Sequence, residues 1–227
     1  MKAKLWGLVV WGAGFGVDHI DYREKLDAPL KSTERGYLPS AHLWLRSLID
    51  DGIRLEGSLA YSTAKLFYDG STQAGEPATH TDRHHFGNVE FLYSQDLINR
   101  FGFYGGVQYR TWLRGIDGFH ELYKMWILPV GLRFAYAFTS EFEAELDASF
   151  RFFPYGNMTL YASQIDPFYD DVNMTLGASW GWRLATPFRL HMSDVAWVLT
   201  PWYQFLRIKA GEVVALTHKA FETLALL

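Results

Sequence analysis

The sequence predicts an all-β fold, an antiparallel up-and-down transmembrane β-barrel of about ten strands with eight as the alternative, and three observations carry that prediction. Apolar and polar residues alternate with period two along most of the 227 residues. The alternating segments run for roughly twelve to eighteen residues, longer than the five or six usual in soluble sheets. Short turns also alternate with long polar connections, as in barrels with short turns on one side of a membrane and long loops on the other.

The elements follow in order. A first strand over about Leu5–Arg23 opens the chain as the start of a mature protein behind an initiator Met, and "EKLDAPLKSTERG" follows as a polar loop. The second strand, Tyr37–Ile49, meets the third, "IRLEGSLAYSTAKLFY", at "DDG", where Gly makes a positive φ cheap. "DGSTQAGEPATHTDRHH" is the longest polar loop. The fourth strand, "FGNVEFLYS", joins the fifth, "RFGFYGGVQYRTWLR", through "QDLIN". The loop "GIDGFHE" leads to the sixth strand, Leu122–Phe138, and the turn "TSE" to the seventh.

The seventh, "FEAELDASFRFF", is the test case. At helical spacing Phe142, Leu146, Phe150 and Phe153 form a stripe; at period two Phe142, Ala144, Leu146, Ala148, Phe150 and Phe152 share a face. Its flanks are hairpin boundaries, "TSE" and "PYG", so the strand reading holds. A loop around "PYGNMTLYASQIDPFYDD", an eighth strand over Val172–Leu184, the turn "ATPF" and a ninth strand over Leu190–Ile208 complete the count, leaving "THKAFETLALL" for a tenth. The whole chain, 1–227, reads as one domain.

Composition narrows the class. Aromatic residues make up 17%, with nine Trp and thirteen Tyr, yet mean hydropathy is close to neutral. No run approaches the ~18 apolar residues of a membrane helix. Without Cys there is no disulfide framework and no thiolate metal site. A formal charge of −4 gives no reason to expect nucleic acid.

The two strand faces differ sharply. One carries Val107 and Tyr109, then Trp126, Leu128, Val130, Leu132, Phe134 and Tyr136, then Met174, Leu176, Trp180 and Trp182, and finally Val195, Trp197, Leu199 and Tyr203. The other carries Arg46, Arg54, Arg110, Arg133, Arg151 and Arg183 against Glu56, Glu90, Glu143, Glu145, Asp147 and Asp194. The first face is expected in lipid and the second in the lumen, with aromatic residues such as Tyr37, Phe67, Tyr68, Tyr123, Phe138 and Trp182 at the interfaces. Gly12, Gly14, Gly16, Gly177 and Gly181 leave room for long inward side chains.

The pattern resembles that of small bacterial outer-membrane β-barrel proteins, the group around the OmpA transmembrane domain and the OmpX, OmpW and opacity-protein families. "GAGFGVDHIDY" looks like their first strand. The resemblance implies a Gram-negative outer-membrane location at the cell surface, an even strand number, and outer-membrane lipid as partner.

A barrel this narrow has room for little beyond its own side chains, so the interleaved acids and bases are expected to pair and largely close the lumen. Arg110 and Arg133 fall on adjacent strands, as do Glu145 and Arg183. The expected role is structural or surface-interacting, with a ligand or protein partner met by the long loops. A narrow porin-like channel for ions or small solutes is the alternative. His80, Asp82, His84 and His85 form a candidate metal cluster, and Asp166, Asp170 and Asp171 a weaker calcium one. No cofactor and no catalytic residue is assigned. Two hydrolase patterns are nonetheless worth locating. His191 and Ser193 resemble the His-x-Ser element of outer-membrane lipid A deacylases, with Asp194 where that pattern has Asn. Asp82, His84, Asp117, His120 and Asp171 occupy positions like those of acidic and His-Asp pairs in ten-stranded outer-membrane proteases.

Overall fold

Period-two alternation becomes a single curled antiparallel sheet in the computed structural model, which describes residues 9–24, 32–50, 52–71, 75–98, 100–116, 118–192, 195–209, 216–217 and 223–224. The strands are β1 (Val9–Glu24), β2 (Ser32–Asp50), β3 (Ile53–Ser71), β4 (Pro77–Ile98), β5 (Phe101–Ile116), β6 (Phe119–Ala137), β7 (Phe142–Leu160), β8 (Val172–Ala185), β9 (Phe188–Met192), β10 (Val195–Leu199) and β11 (Trp202–Lys209). They pair in the order β1-β2-β3-β4-β5-β6-β7-β8-β11, with β9 against β7 and β10 against β9. The sheet curls into a half-barrel with a convex and a concave face. A separate two-residue pair, β12 (Leu216–Thr217) and β13 (Thr223–Leu224), lies near the C-terminal end.

β7 answers the helix-or-strand question. Leu146, Phe150 and Phe152 are exposed on the convex side, while Glu145, Asp147, Ser149 and Arg151 are buried on the concave side. The same inversion of ordinary burial holds across the sheet: Phe15 is 94% and Val130 62% exposed, whereas Arg151 is 3% exposed. The convex apolar band spans Val89–Leu97 on β4, Phe101–Tyr109 on β5, Trp126–Tyr136 on β6 and Leu146–Tyr155 on β7, which is 9, 9, 11 and 10 residues. A registered row of Val89, Tyr109, Trp126 and Tyr155 bounds it, and beyond that row the convex residues turn polar at Thr111, Lys124 and Asn157.

Several strands are longer than the hydropathy pattern suggests. β4 absorbs most of the polar run once read as the longest loop, so His80, Asp82, His84 and His85 are strand residues. β2 begins at Ser32, β6 at Phe119, and β7 continues to Leu160. The physical reason is shared. Buried polar side chains here find partners across the concave face, so local polarity marks an interior network and not a solvated loop. At this end the connections shrink to 25–31, 72–76, 117–118 and 161–171, the last containing one 3₁₀ turn at Ala162–Gln164. Short turns at 51–52, 99–100 and 138–141 lie at the other end, with positive φ at Gly52 and Arg100.

The chain does not reverse at "ATPF", and the expected ninth strand is not continuous. β8 and β9 lie end to end along β7, with Ala185 opposite Asp147 and Phe188 opposite Ala144. β10 and β11 lie end to end beside them. Pro187 and Pro201 cannot donate to the ladder and so interrupt it. Their carbonyls still accept, Pro187 from Glu145 N and Pro201 from Thr186 N, both at 2.9 Å. The reversal falls between Met192 and Val195, outside the described residues, as do most of the expected tenth strand and the first four residues of the expected first strand.

A bulge in the β6–β7 pairing between Trp126 and Leu128 changes which residues face inward. Phe152 and Tyr155 stay exposed, but Phe153 between them is buried. Beyond the bulge Met174 and Leu176 pack against concave-side clusters instead of joining Trp180 and Trp182 on the convex face. Tyr68 and Tyr123, expected at an interface, are buried as well.

Gly106 marks a close backbone approach: a Cβ there would lie 2.0 Å from the Phe91 carbonyl oxygen, whereas one at Gly14 meets nothing within 4 Å. Gly106→Ala should therefore lower the unfolding free energy by about 1–3 kcal/mol. Gly14→Ala should leave it unchanged or raise it by about 0.4–1 kcal/mol. Urea titration of the purified variants, read by tryptophan fluorescence, separates the two outcomes.

Candidate functional site

Alternation puts every second side chain of each strand on the concave face, and there the polar ones assemble into two networks separated by an apolar layer. Nearest the short turns, Arg133 contacts Glu56, lies 2.9 Å from Asp147 and 3.7 Å from Glu145. Its guanidinium sits 4.4 Å from the Tyr104 ring centre, and Tyr104 donates a 2.6 Å bond to Asp147. Arg46 reaches Glu56 at 3.1 Å, and Ser94 donates to the same carboxylate. Arg54 pairs with Asp96, and Arg189 bridges Glu143 at 2.9 Å and Glu145 at 3.1 Å.

One tier further along, Arg151 spans from β7 to Gln108 on β5 at 2.5 Å and Glu90 on β4 at 3.2 Å. Arg110 donates to the Asn88 amide oxygen at 2.7 Å, and Gln108 to the same oxygen at 3.0 Å. Arg183 lies over the Trp202 ring at 5.6 Å. Among the described residues neither Arg110 nor Arg183 sits within ion-pair distance of a carboxylate. The adjacent-strand pair expected for Glu145 and Arg183 is therefore replaced by Glu145 with Arg133 and Arg189. Asp194 lies outside the described residues.

The apolar layer follows. Trp112, Tyr123, Met125, Ile127 and Phe153 are buried together, with Tyr22, Phe86, Leu176, Leu206 and Ile208 packed against them. Trp112 stacks on Phe86 at 5.3 Å and on Tyr123 at 4.9 Å, and Tyr22 meets it edge-on. These side chains come from β1, β4, β5, β6, β7, β8 and β11, so the layer includes strands from both edges of the sheet.

The second network lies beyond it. Arg114 is 2.7 Å from Glu34, 2.7 Å from Glu24 and 2.9 Å from Glu121, and only 3% of its side chain is exposed. Tyr22 caps Glu24 and Tyr123 caps Glu121, each at 2.9 Å. The Trp112 indole donates to His84 Nδ1 at 3.1 Å. Because an indole N–H can only donate, Nδ1 must accept, which puts the His84 proton on Nε2, 3.9 Å from Glu34 Oε2. One cation thus serves three carboxylates. Sequence reading missed this network because Glu24, Glu34 and Glu121 sat in segments read as loops. The parity of Arg114 with Arg110 on β5 was the signal that could have placed it.

The remaining candidates do not converge. His80 lies 2.9 Å from Asp82 and stacks on Tyr68, but His85 is on the opposite face, bonded to Tyr61 at 2.7 Å. Among the described residues no three His, Asp or Glu side chains are grouped so as to hold a metal ion. Asp166 caps the Phe168 amide and Asp171 the Ser163 amide and hydroxyl. His84 is engaged with Trp112, and His120 with Gln164 at 2.8 Å, so these two and Asp171 have separate partners. His191 is half exposed, 3.8 Å from Glu143; Asp117 and Ser193 lie outside the described residues. The chain matches no protein-family model and no curated protein.

Removing Arg114 strands the buried Glu34 carboxylate and the partly buried ones of Glu24 and Glu121. Arg114→Met should cost about 3–5 kcal/mol, and Arg114→Met combined with Glu34→Gln should cost less than Arg114→Met alone. Chemical unfolding of both variants, with near-ultraviolet circular dichroism reporting on the adjacent Trp112, checks the order.

Proposed function

We propose that this chain is a membrane-embedded β-barrel of the bacterial outer membrane, closed inside by its own side chains, that serves as a structural or surface-interaction element. The observation that carries this reading is the convex band. Its height of 9 to 11 residues per strand on β4 to β7 is what a tilted strand needs to cross a bilayer. Its far edge is the row Val89, Tyr109, Trp126 and Tyr155, aromatic at three of four positions and followed at once by polar residues on β5 to β7, the profile of a lipid–water interface. In water, an apolar surface of that extent would drive association. No helix among the described residues is long and apolar enough to cross a membrane, so strands would do the spanning. The outer-membrane location rests on this β-type span and on the resemblance of the sequence pattern.

β4 continues from Asn88 back to Pro77 beyond the band, and β2, β3, β5 and β6 extend with it. On this reading the sheet projects out of the bilayer and carries the Arg114 network inside the projection. The rim and the 161–171 connection then form the surface available to a partner. Closure has two independent bases, ion pairs around Arg133 and the stacked layer around Trp112. A channel would need both to open, and a hydrolase would need a nucleophile and base in one place. The structural reading asks for neither.

Two measurements test it. Leu132, exposed at the middle of the band, should tolerate charge poorly: Leu132→Arg should cost about 2–4 kcal/mol in a bilayer, while Ser149→Arg on the concave face costs less. Equal costs would overturn the assignment of the convex face to lipid, and the opposite order would reverse the faces. In planar bilayers the unmodified protein and Arg133→Ala should both be silent, because the Trp112 layer still blocks the path. Steady nanosiemens-scale conductance from the unmodified protein would replace this reading with the channel.

A further inference from the structure

We infer that the rim of the convex band is a binding collar for anionic lipid headgroups, built around the cross-strand pair Lys65 and Arg83. The inference rests on the membrane reading above and names the lipid chemistry that this face selects.

The first observation is a like-charge pair. Lys65 on β3 and Arg83 on β4 are direct register partners, and both are exposed on the convex face. Two cations opposite each other on one sheet face repel. Among the described residues neither has a carboxylate within ion-pair distance. The neighbouring convex basic residues with counter-ions contrast with them: Arg23 holds Asp21 at 2.6 Å, and Arg35 lies 3.9 Å from Asp69.

The second observation is position. Moving along β3 and β4 away from the short turns, the convex face presents Leu59 opposite Val89, then Tyr61 opposite Gly87, then Thr63 opposite His85, then Lys65 opposite Arg83. Tyr61 and His85 are hydrogen-bonded at 2.7 Å. Aliphatic, phenolic, imidazole and cationic groups therefore follow one another in the order in which a bilayer changes from acyl chain to phosphate.

The third observation is recurrence around the sheet. Lys124 on β6 is exposed two residues beyond Trp126, and Arg207 on β11 two residues beyond Phe205, each the next convex residue after an exposed aromatic side chain of its strand. Lys209 follows Arg207 on the same face. None of these five cations has an acidic partner among the described residues, in a chain whose formal charge is −4. A positive collar on an acidic protein, level with the expected phosphates, is charge-complementary to a phosphate-bearing lipid headgroup. Lysine and arginine supply the donors, and the apolar band below would take the acyl chains.

The experiment uses the full chain reconstituted in phosphatidylcholine bilayers containing phosphatidylglycerol, with native tryptophan fluorescence quenched by brominated versions of either lipid. Brominated phosphatidylglycerol should quench more strongly than the same fraction of brominated phosphatidylcholine, and high salt should erase the difference. In Lys65→Gln/Arg83→Gln the relative affinity for phosphatidylglycerol should fall, by about fivefold for each basic residue removed. Arg23→Gln, which removes a cation already paired, should leave it unchanged. Equal quenching by the two lipids in the unmodified protein overturns the collar, and so does an unchanged preference in the folded double variant. If the double variant does not fold, Lys124→Gln reads the same preference by itself. Stabilisation by inorganic phosphate in purely neutral bilayers, matching that given by phosphatidylglycerol, would assign the site to free phosphate and overturn the lipid. Absence of quenching by either lipid removes the membrane reading and the collar with it, a result distinct from equal quenching by both.

Discussion

Arg133 reaches Glu56, Glu145 and Asp147 from a single guanidinium, and Glu56 stands three strands away from it in the sheet. That contact exists only if the sheet curls enough to bring β3 back towards β6. The curl in turn requires short or absent side chains where strands crowd, as at Gly131, whose missing Cβ would fall 2.4 Å from the Tyr104 ring. Curvature, the packing of Tyr104 and neutralisation of the carboxylates are therefore one coupled arrangement. Each acid is shared between partners, so loss of one group leaves others buried and unpaired, and the network behaves as a unit.

The apolar layer around Trp112 gives this unit its boundaries. With Ile127 and Phe153 essentially inaccessible to solvent, the charges around Arg133 and those around Arg114 are kept apart by a low-dielectric partition. Trp112 belongs to both sides: its ring faces the layer, while its N–H orients His84 and its π-face lies 5.9 Å from the Arg114 guanidinium. The second network can accordingly carry three glutamates on one arginine without disturbing the balance in the first.

Much of this was legible in the residues. Alternation in "FEAELDASFRFF" assigned the faces of β7 correctly, and the charges from Arg46 to Arg183 that it placed inward do face the concavity. What failed had identifiable causes. Glu34 and His84 sit in polar stretches, and composition alone cannot tell a solvated loop from a strand whose polar face is satisfied internally. Leu176 was assigned to the wrong face because parity carries no warning of a bulge. Arg189 was missed because Pro187 suggests a turn, whereas the strand continues past it with the proline carbonyl still in the ladder. Networks that join β1 to β5 depend on curvature, which no local pattern encodes.

The end-to-end placement of β8 with β9, and of β10 with β11, has a topological consequence. Counted as continuous paths across the sheet, the described strands make nine, each running opposite to its neighbour. The first and the last of an odd alternating series point the same way, so β1 and β11 are co-directional. Antiparallel hydrogen bonding between them is ruled out by their polarity, however tightly the sheet curls. A closed antiparallel cylinder built on this sheet must receive one more strand of opposite sense at that seam, and its donors and acceptors have to match β1 on one flank and β11 on the other.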